Sequence, residues 1–242
     1  KDDLSDLSQY AIDLTNLKHV SPTHKWVKGA AQWEHAVQSY LASVTFADHC
    51  LGLVLDALDS SDYADNTIIA LFSDHGFHLG EKERWAKRSL WEDGTRVPII
   101  VSAPGFRHDQ KSDRPAELLD LFPTLLELAG LPSDPSQEGQ SLVPLMKNPK
   151  MEWKHPAITS FGLGNYSVRS TRYRFIRYFD GSQELYDLSD DPHEWNNLAA
   201  KPKFKSIIQQ HSAHLPKKEH PILPGGSTGH NAYEAANANI KK

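Results

Sequence analysis

The chain has 242 residues, enough to bury a substantial core as one large domain or two modest ones. Its composition, 39% hydrophobic and 24% charged, is ordinary for a globular chain, and a net charge of −5 provides no basic stripe, which argues against nucleic acid as a partner. No uninterrupted apolar run approaches the ~18–20 residues that cross a bilayer, and the opening Lys1-Asp2-Asp3-Leu4-Ser5 is too polar for a signal peptide and lacks an initiator Met, as in a processed chain or fragment.

Residues 1–30 are polar and broken by Pro22 and Gly29, so an extended, irregular approach is expected there. A helix follows from about Gln32 to Leu58, because Val37, Leu41, Val44, Ala47, Leu51, Leu55 and Leu58 recur at three- and four-residue steps and make one apolar stripe. Gly52 in its flank suits close packing, and Cys50, the only cysteine, reads as a quiet core thiol; a lone cysteine forms no intrachain disulfide. Thr67–Phe72 is a continuous apolar run rich in β-branched residues, which predicts a strand covered on both faces, as in a parallel sheet flanked by helices. A second strand is expected at Val97–Ser102, with Pro98 tolerated near its start. Asp120 is placed to cap a helix from Leu121 to Ala129, which Gly130 stops.

After Pro149 the pattern changes. Short runs at Ala157–Phe161, Tyr166–Arg169, Tyr173–Tyr178 and Glu184–Leu188, with the hairpin signal Asp180-Gly181, predict a small antiparallel sheet. One helix near Phe204–His214 follows, and the tail from Pro216 has a loosely ordered composition. The fold class is therefore α/β: a three-layer core over residues 1–150, a small antiparallel-sheet subdomain over 151–215 and a tail over 216–242.

The chemistry begins at the end of the first strand, with Ser73-Asp74-His75-Gly76. Ligands of open α/β sheets bind outside the carboxyl ends of strands, and Asp with His can hold a divalent cation. The plain alternative is a turn-capping Asp74 beside a hydrogen-bonded surface His75. A long loop rich in Gly, Trp and charge follows to Glu92. Lys87 within it can present a cation to an oxyanion, or can simply be a solvated lysine. Trp85 and Trp91 either stack on a sugar or pack beneath the loop, and Arg96 either braces the loop or binds an anion.

Residues 73–105, with Ser-Asp-His-Gly-Phe-His-Leu-Gly-Glu-Lys, Trp-Ala-Lys-Arg-Ser-Leu-Trp-Glu and Thr-Arg-Val-Pro-Ile-Ile, closely resemble the type I sulfatases of the alkaline-phosphatase superfamily. The nearest branch is similar to iduronate-2-sulfatase and its bacterial relatives. Tyr40 to Leu55, the segment from Asp120 to Gly130, and Glu184-Leu185-Tyr186-Asp187-Leu188 with Asp191-Pro192-His193-Glu194 agree, so the resemblance spans about residues 35 to 200.

The resemblance implies an alkaline-phosphatase-like sandwich and hydrolysis of sulfate esters. It implies a Ca²⁺ ion held in part by Asp74 and His75, with Lys87 set against the sulfate and a formylglycine as nucleophile. Residue chemistry alone would also allow Zn²⁺ or Mn²⁺. Phe77 and His78, next to the metal pair, are expected to line the pocket mouth and contact substrate, or His78 to protonate a leaving oxygen. A sulfated carbohydrate is the expected substrate, with a small molecule such as choline sulfate as an exception, and an exported location (periplasmic, secreted or lysosomal) follows from the family.

Two departures qualify this. Cys50 is followed by Leu-Gly-Leu and does not fit a formylglycine signature, which appears nowhere in the chain. The paired early carboxylates are absent too: Asp2-Asp3 has no apolar strand before it. The chain therefore reads as the C-terminal portion of a sulfatase, with the N-terminal part as its partner and little activity alone. Phosphomonoester or phosphonate hydrolysis, and an inactive truncated sugar-binding module, are the alternatives.

Overall fold

A computed structural model describes residues 3–15 and 22–219. The expected tail beyond residue 219 lies outside the described residues. Among the described residues of the first thirty, where an irregular approach was expected, there are two short helices, α1 (Gln9–Thr15) and α2 (His24–Gly29). Thr23 caps α2 by accepting from the Trp26 amide at 3.2 Å. Periodicity could not reveal α1, since its order comes from elsewhere: Tyr10, Ala11 and Leu14 are buried against Leu90, Trp91, Ile176, Tyr178 and Tyr186.

The long helix α3 (Trp33–Asp59) matches its expected bounds to within a residue. None of its side chains, however, is buried by the described residues: of the stripe, Leu41 and Val44 are exposed and Val37, Leu51, Leu55 and Leu58 only half-buried, and Phe46, Leu53 and Val54 beside it are exposed too. Cys50 is likewise exposed rather than a core thiol, and nothing lies within 4 Å of a side chain built on Gly52. By length and average composition α3 reaches the range of a bilayer-crossing helix, which a search for uninterrupted apolar runs does not detect because residues such as Asp48 and His49 break the run.

Strands β1 (Ile69–Phe72) and β2 (Ile99–Ser102) pair antiparallel, Ile69 opposite Ser102 and Phe72 opposite Ile99. This corrects the parallel, doubly covered strand expected from the apolar run. Composition does not encode strand direction, and here the chain returns through the 73–98 loop to the neighbouring position. Among the described residues no further strand joins this pair, and Phe72 and Ile100 are 50% and 57% exposed. The helix α4 (Glu92–Thr95) lies in the return loop. Helix α5 (Leu121–Leu128) is preceded by a 3-10 turn at Leu118–Asp120. Asp120 does not cap α5 as expected; its carboxylate accepts from the Glu117 amide at 2.8 Å and the Gln140 amide at 2.7 Å, tying that turn to a distant loop. Gly130 ends α5 in the left-handed region (φ 67°). A short helix, α6 (Val143–Lys147), precedes the change of pattern.

The second sheet follows the expected alternation closely. Strands β3 (Ala157–Ser160), β4 (Tyr166–Arg169), β5 (Tyr173–Arg177) and β6 (Gln183–Asp187) form an antiparallel meander in chain order. Gly181 takes φ 86° in the β5–β6 turn, where Ser182 N–H donates to Asp180 at 2.9 Å. One face of the sheet packs on α7 (Lys205–Ser212) through Val168, Phe175 and Leu185. The period of two puts Arg174, Ile176, Glu184 and Tyr186 on the opposite face, against α1 and the 73–98 loop.

Charged groups buried on that face anchor the loop. Arg174 pairs with Glu92 of α4 and, at 2.8 Å, with Glu194, and also donates to the Leu90 carbonyl at 3.0 Å. Lys82, 2% exposed and at φ 52°, donates to Asp3 at 2.8 Å and to the Glu194 carbonyl. Glu184 accepts from Trp91 Nε1, Tyr178 OH and Tyr186 OH at 2.8–2.9 Å. Removing one partner of such a buried pair costs about 3–5 kcal/mol, because the other charge is stranded. Closer to β1, Gly76 N–H donates to the Gly94 carbonyl at 3.1 Å, and a Cβ on Gly76 would sit 2.1 Å from the Asp93 carbonyl oxygen. Only glycine permits this approach of the strand end to α4.

Two outcomes are expected. Gly76→Ala must push residues 74–76 away from α4, so the variant should lower the urea midpoint relative to wild type; an unchanged midpoint would contradict the close approach. Burial pushes the Glu194 carboxyl up to about 7, against the pull of Arg174. A raised carboxyl holds a proton in the native state that the unfolded chain has released, so its contribution is full below 4.5 and fades as pH rises towards 7. His78, held neutral by burial, has the opposite slope below 6.5, so the difference between wild type and Glu194→Gln isolates the effect. Wild-type stability should fall relative to that variant between about pH 4.5 and 7; a relative rise across this window would show the sign to be wrong.

Candidate functional site

Asp74 and His75 emerge where β1 ends. Asp74 is 78% exposed at its side chain, and its Oδ2 lies 3.4 Å from His75 Nε2. His75 Nδ1 is 2.8 Å from the Gly76 carbonyl oxygen, which can only accept, so Nδ1 carries the proton and Nε2 keeps its lone pair. Lys87 reaches back across twelve residues to donate to that Nε2 at 2.7 Å. The three residues singled out in the sequence thus meet at one point.

The arrangement fits a shared cation in geometry and in donor type. Two ligands at about 2.3–2.6 Å from one ion, set near a right angle, lie about 3.3–3.7 Å apart, the separation of Asp74 and His75. The Gly76 carbonyl fixes the imidazole as metal-ligating histidines usually are fixed. Two donors are too few for Ca²⁺, which takes about 6–8, so further ligands must come from outside this pair.

The three residues open onto a cavity of about 1840 Å³ between the β1–β2 pair and the second sheet. Arg88, Arg96, Arg114 and Arg169 on its walls favour an anionic occupant, while apolar Ile99–Val101 and Leu118–Leu119 line another side. Within it Glu92 keeps its charge: burial alone would raise its carboxyl, but Arg174, then Arg169, hold it below the usual range.

Phe77 and His78 do not line this cavity. Phe77 is half-buried, its ring 5.5 Å from Tyr40 of α3. His78 is 0% exposed, and its imidazole is held down to about 3, first by burial and then by the Arg84 charge, with the Glu81 backbone only partly opposing. That corrects the expectation of a mouth residue or proton donor: an inaccessible, neutral ring cannot protonate a leaving oxygen at ordinary pH. Its inward turn follows from Nε2 bonding Ser89 Oγ at 2.7 Å and from Gly94, which leaves it room. Trp85 and Trp91 are buried beneath the loop rather than offered to a sugar; Trp85 Nε1 donates to His24 at 3.2 Å.

Sequence reading missed two groupings. The Arg174–Glu92–Glu194 cluster joins segments far apart in the chain, and no local pattern marks it. The other is His78, Glu81 and Asp93, whose candidate ligand atoms lie within 4.8 Å of one another. Glu81 and Asp93 are twelve residues apart, and no local spacing links them to each other or to His78.

Comparison with known proteins shows the family. The sulfatase family model matches residues 8–131, and the model named N-sulphoglucosamine sulphohydrolase, C-terminal, matches residues 80–220. A sulfatase of Formosa agariphila is 44% identical over 216 residues, covering 89% of this chain and 42% of the relative. A Delta 4,5-hexuronate-2-O-sulfatase of Bacteroides thetaiotaomicron is 30% identical over 230 residues, covering 87% of this chain and 47% of the relative. Among solved structures, a 2-O GAG sulfatase superposes with a TM-score of 0.72 at 26% identity, over 84% of this chain and 47% of the other. The chain spans less than half the length of these relatives. The solved neighbours confirm the α/β class and the alkaline-phosphatase-like architecture expected from the sequence. From α1 to the last strand, this chain belongs to the sulfatase family.

Proposed function

We propose that this chain supplies one wall of a sulfate ester hydrolase site, with Asp74 and His75 as two ligands of a divalent cation and Lys87 as the sulfate-facing cation. The observation that carries the reading is the convergence of Lys87 Nζ and Asp74 Oδ2 on a single nitrogen, His75 Nε2. The family supports Ca²⁺ as the ion and a formylglycine nucleophile from the part of the protein not represented here. Bound together they would supply a polarised sulfuryl group and a hydroxyl to attack it.

This chain's own residues have three tasks. Asp74 and His75 hold the cation side of the site, with the proton of His75 kept on Nδ1 by the Gly76 carbonyl. Lys87 is exposed, and when His75 Nε2 turns to a cation, its ammonium is released towards the cavity, where it can neutralise an equatorial sulfate oxygen. The arginines of the cavity wall raise the local concentration of an anionic substrate. A sulfated carbohydrate is the proposed substrate class. Support comes from two relatives whose names specify a hexuronate 2-O-sulfatase and a 2-O GAG sulfatase. The N-terminal part of the sulfatase is the proposed partner, packing on the exposed apolar faces of α3 and β2.

The test is turnover by the complete protein on a 2-O-sulfated unsaturated uronide and the matching phosphate ester. Asp74→Ala and Lys87→Ala should each lower kcat/KM at least about 10²-fold, as loss of a transition-state charge contact does. The sulfate ester should be the better substrate. Variants within twofold of wild type would remove these residues from the site, and faster phosphate ester hydrolysis would overturn the substrate class. Residues 1–242 alone should show no turnover.

A further inference from the structure

We propose that His78, Glu81 and Asp93 form a second divalent-cation site, of the nitrogen-and-oxygen type that suits Zn²⁺ or Mn²⁺, at the base of the loop carrying Lys87. It shares no residue with the Asp74–His75 pair and does not depend on the sulfatase reading.

Each of the three residues brings one ligand atom, and these atoms lie within 4.8 Å of one another. The histidine supplies an independent indication. It is 0% exposed, Nε2 is engaged by Ser89 Oγ at 2.7 Å, and Nδ1 is buried without a hydrogen-bond partner of normal geometry. Since Nε2 is taken, Nδ1 is the nitrogen left for the two carboxylates. A buried imidazole with one ring nitrogen steadied by a hydroxyl, and only the Glu81 backbone drawing weakly on the other, is an arrangement a metal-ligating histidine can take. The donor set decides the class of ion. One imidazole and two carboxylates match the three-ligand sites of Zn²⁺ and the mixed sites of Mn²⁺, whereas Ca²⁺ seeks more oxygens and few nitrogens.

Glu81 and Asp93 are exposed, so an ion would reach the site from solvent. Glu81 lies in the turn that sets Lys82, and Asp93 in the first turn of α4. An ion bound to both and to His78 closes the loop from residue 78 to residue 93 at its base, with Lys87 inside the closed segment. Its role is therefore to fix that loop rather than to touch substrate.

Calorimetric titration of the chelator-stripped 242-residue chain with ZnCl₂, and separately with MnCl₂, tests this. Glu81→Gln and Asp93→Asn keep the exposed side-chain shapes, and their folding is verified by far-UV circular dichroism. Asp74→Asn reports on the strand-end pair. One Zn²⁺ or Mn²⁺ should bind per wild-type chain, with at least tenfold weaker binding in Glu81→Gln and in Asp93→Asn and unchanged binding in Asp74→Asn. No binding of either ion would overturn the proposal. So would binding that survives both substitutions, or that is lost in Asp74→Asn.

Discussion

Arg174, buried between Glu92 and Glu194, is the interaction on which the rest of the site depends. A guanidinium taken out of water must find carboxylates, and those it finds come from α4 and from the segment after β6. Glu92 is five residues beyond Lys87, so the pair fixes the return of the loop that presents Lys87. Lys82 repeats the device earlier in the same loop, drawing Asp3 and the Glu194 carbonyl to it. The second sheet is thus the frame against which the loop's geometry is set.

This explains how a lysine twelve residues from His75 returns to within 2.7 Å of it. The strand end is fixed by the close passage of Gly76 over the Asp93 carbonyl, and α4 is fixed by Arg174. Trp91, beside Glu92, is held through Glu184. Chemistry at the end of β1 and packing on the far sheet are thus joined through α4.

Much of this was legible in the sequence, for physical reasons particular to each element. The second sheet was, because strict alternation and Asp180-Gly181 mark a hairpin meander through local rules. The strand end with Asp74 and His75 was, because a polar turn straight after an apolar strand is conspicuous. Lys87 was assigned mainly through family resemblance. Long-range causes stayed hidden. The helix α1 exists because Tyr10, Ala11 and Leu14 find a partner surface far along the chain. The inward turn of His78 depends on Ser89, and the burial of Lys82 on Asp3 and Glu194. The antiparallel pairing of β1 with β2 is a matter of topology, to which composition is indifferent. The stripe on α3 reads as a core-facing pattern, and among the described residues it is half-buried at most.

The central claim is that Asp74, His75 and Lys87 act at one point, two on a cation and one on a sulfate. A crystal structure of the complete protein with Ca²⁺ and a sulfated uronide tests it most directly. The account predicts Asp74 Oδ2 and His75 Nε2 at about 2.3–2.6 Å from the ion, with Lys87 Nζ moved from His75 onto a sulfate oxygen. An ion held without Asp74 and His75, or a sulfate bound while Lys87 stays on His75, would contradict it.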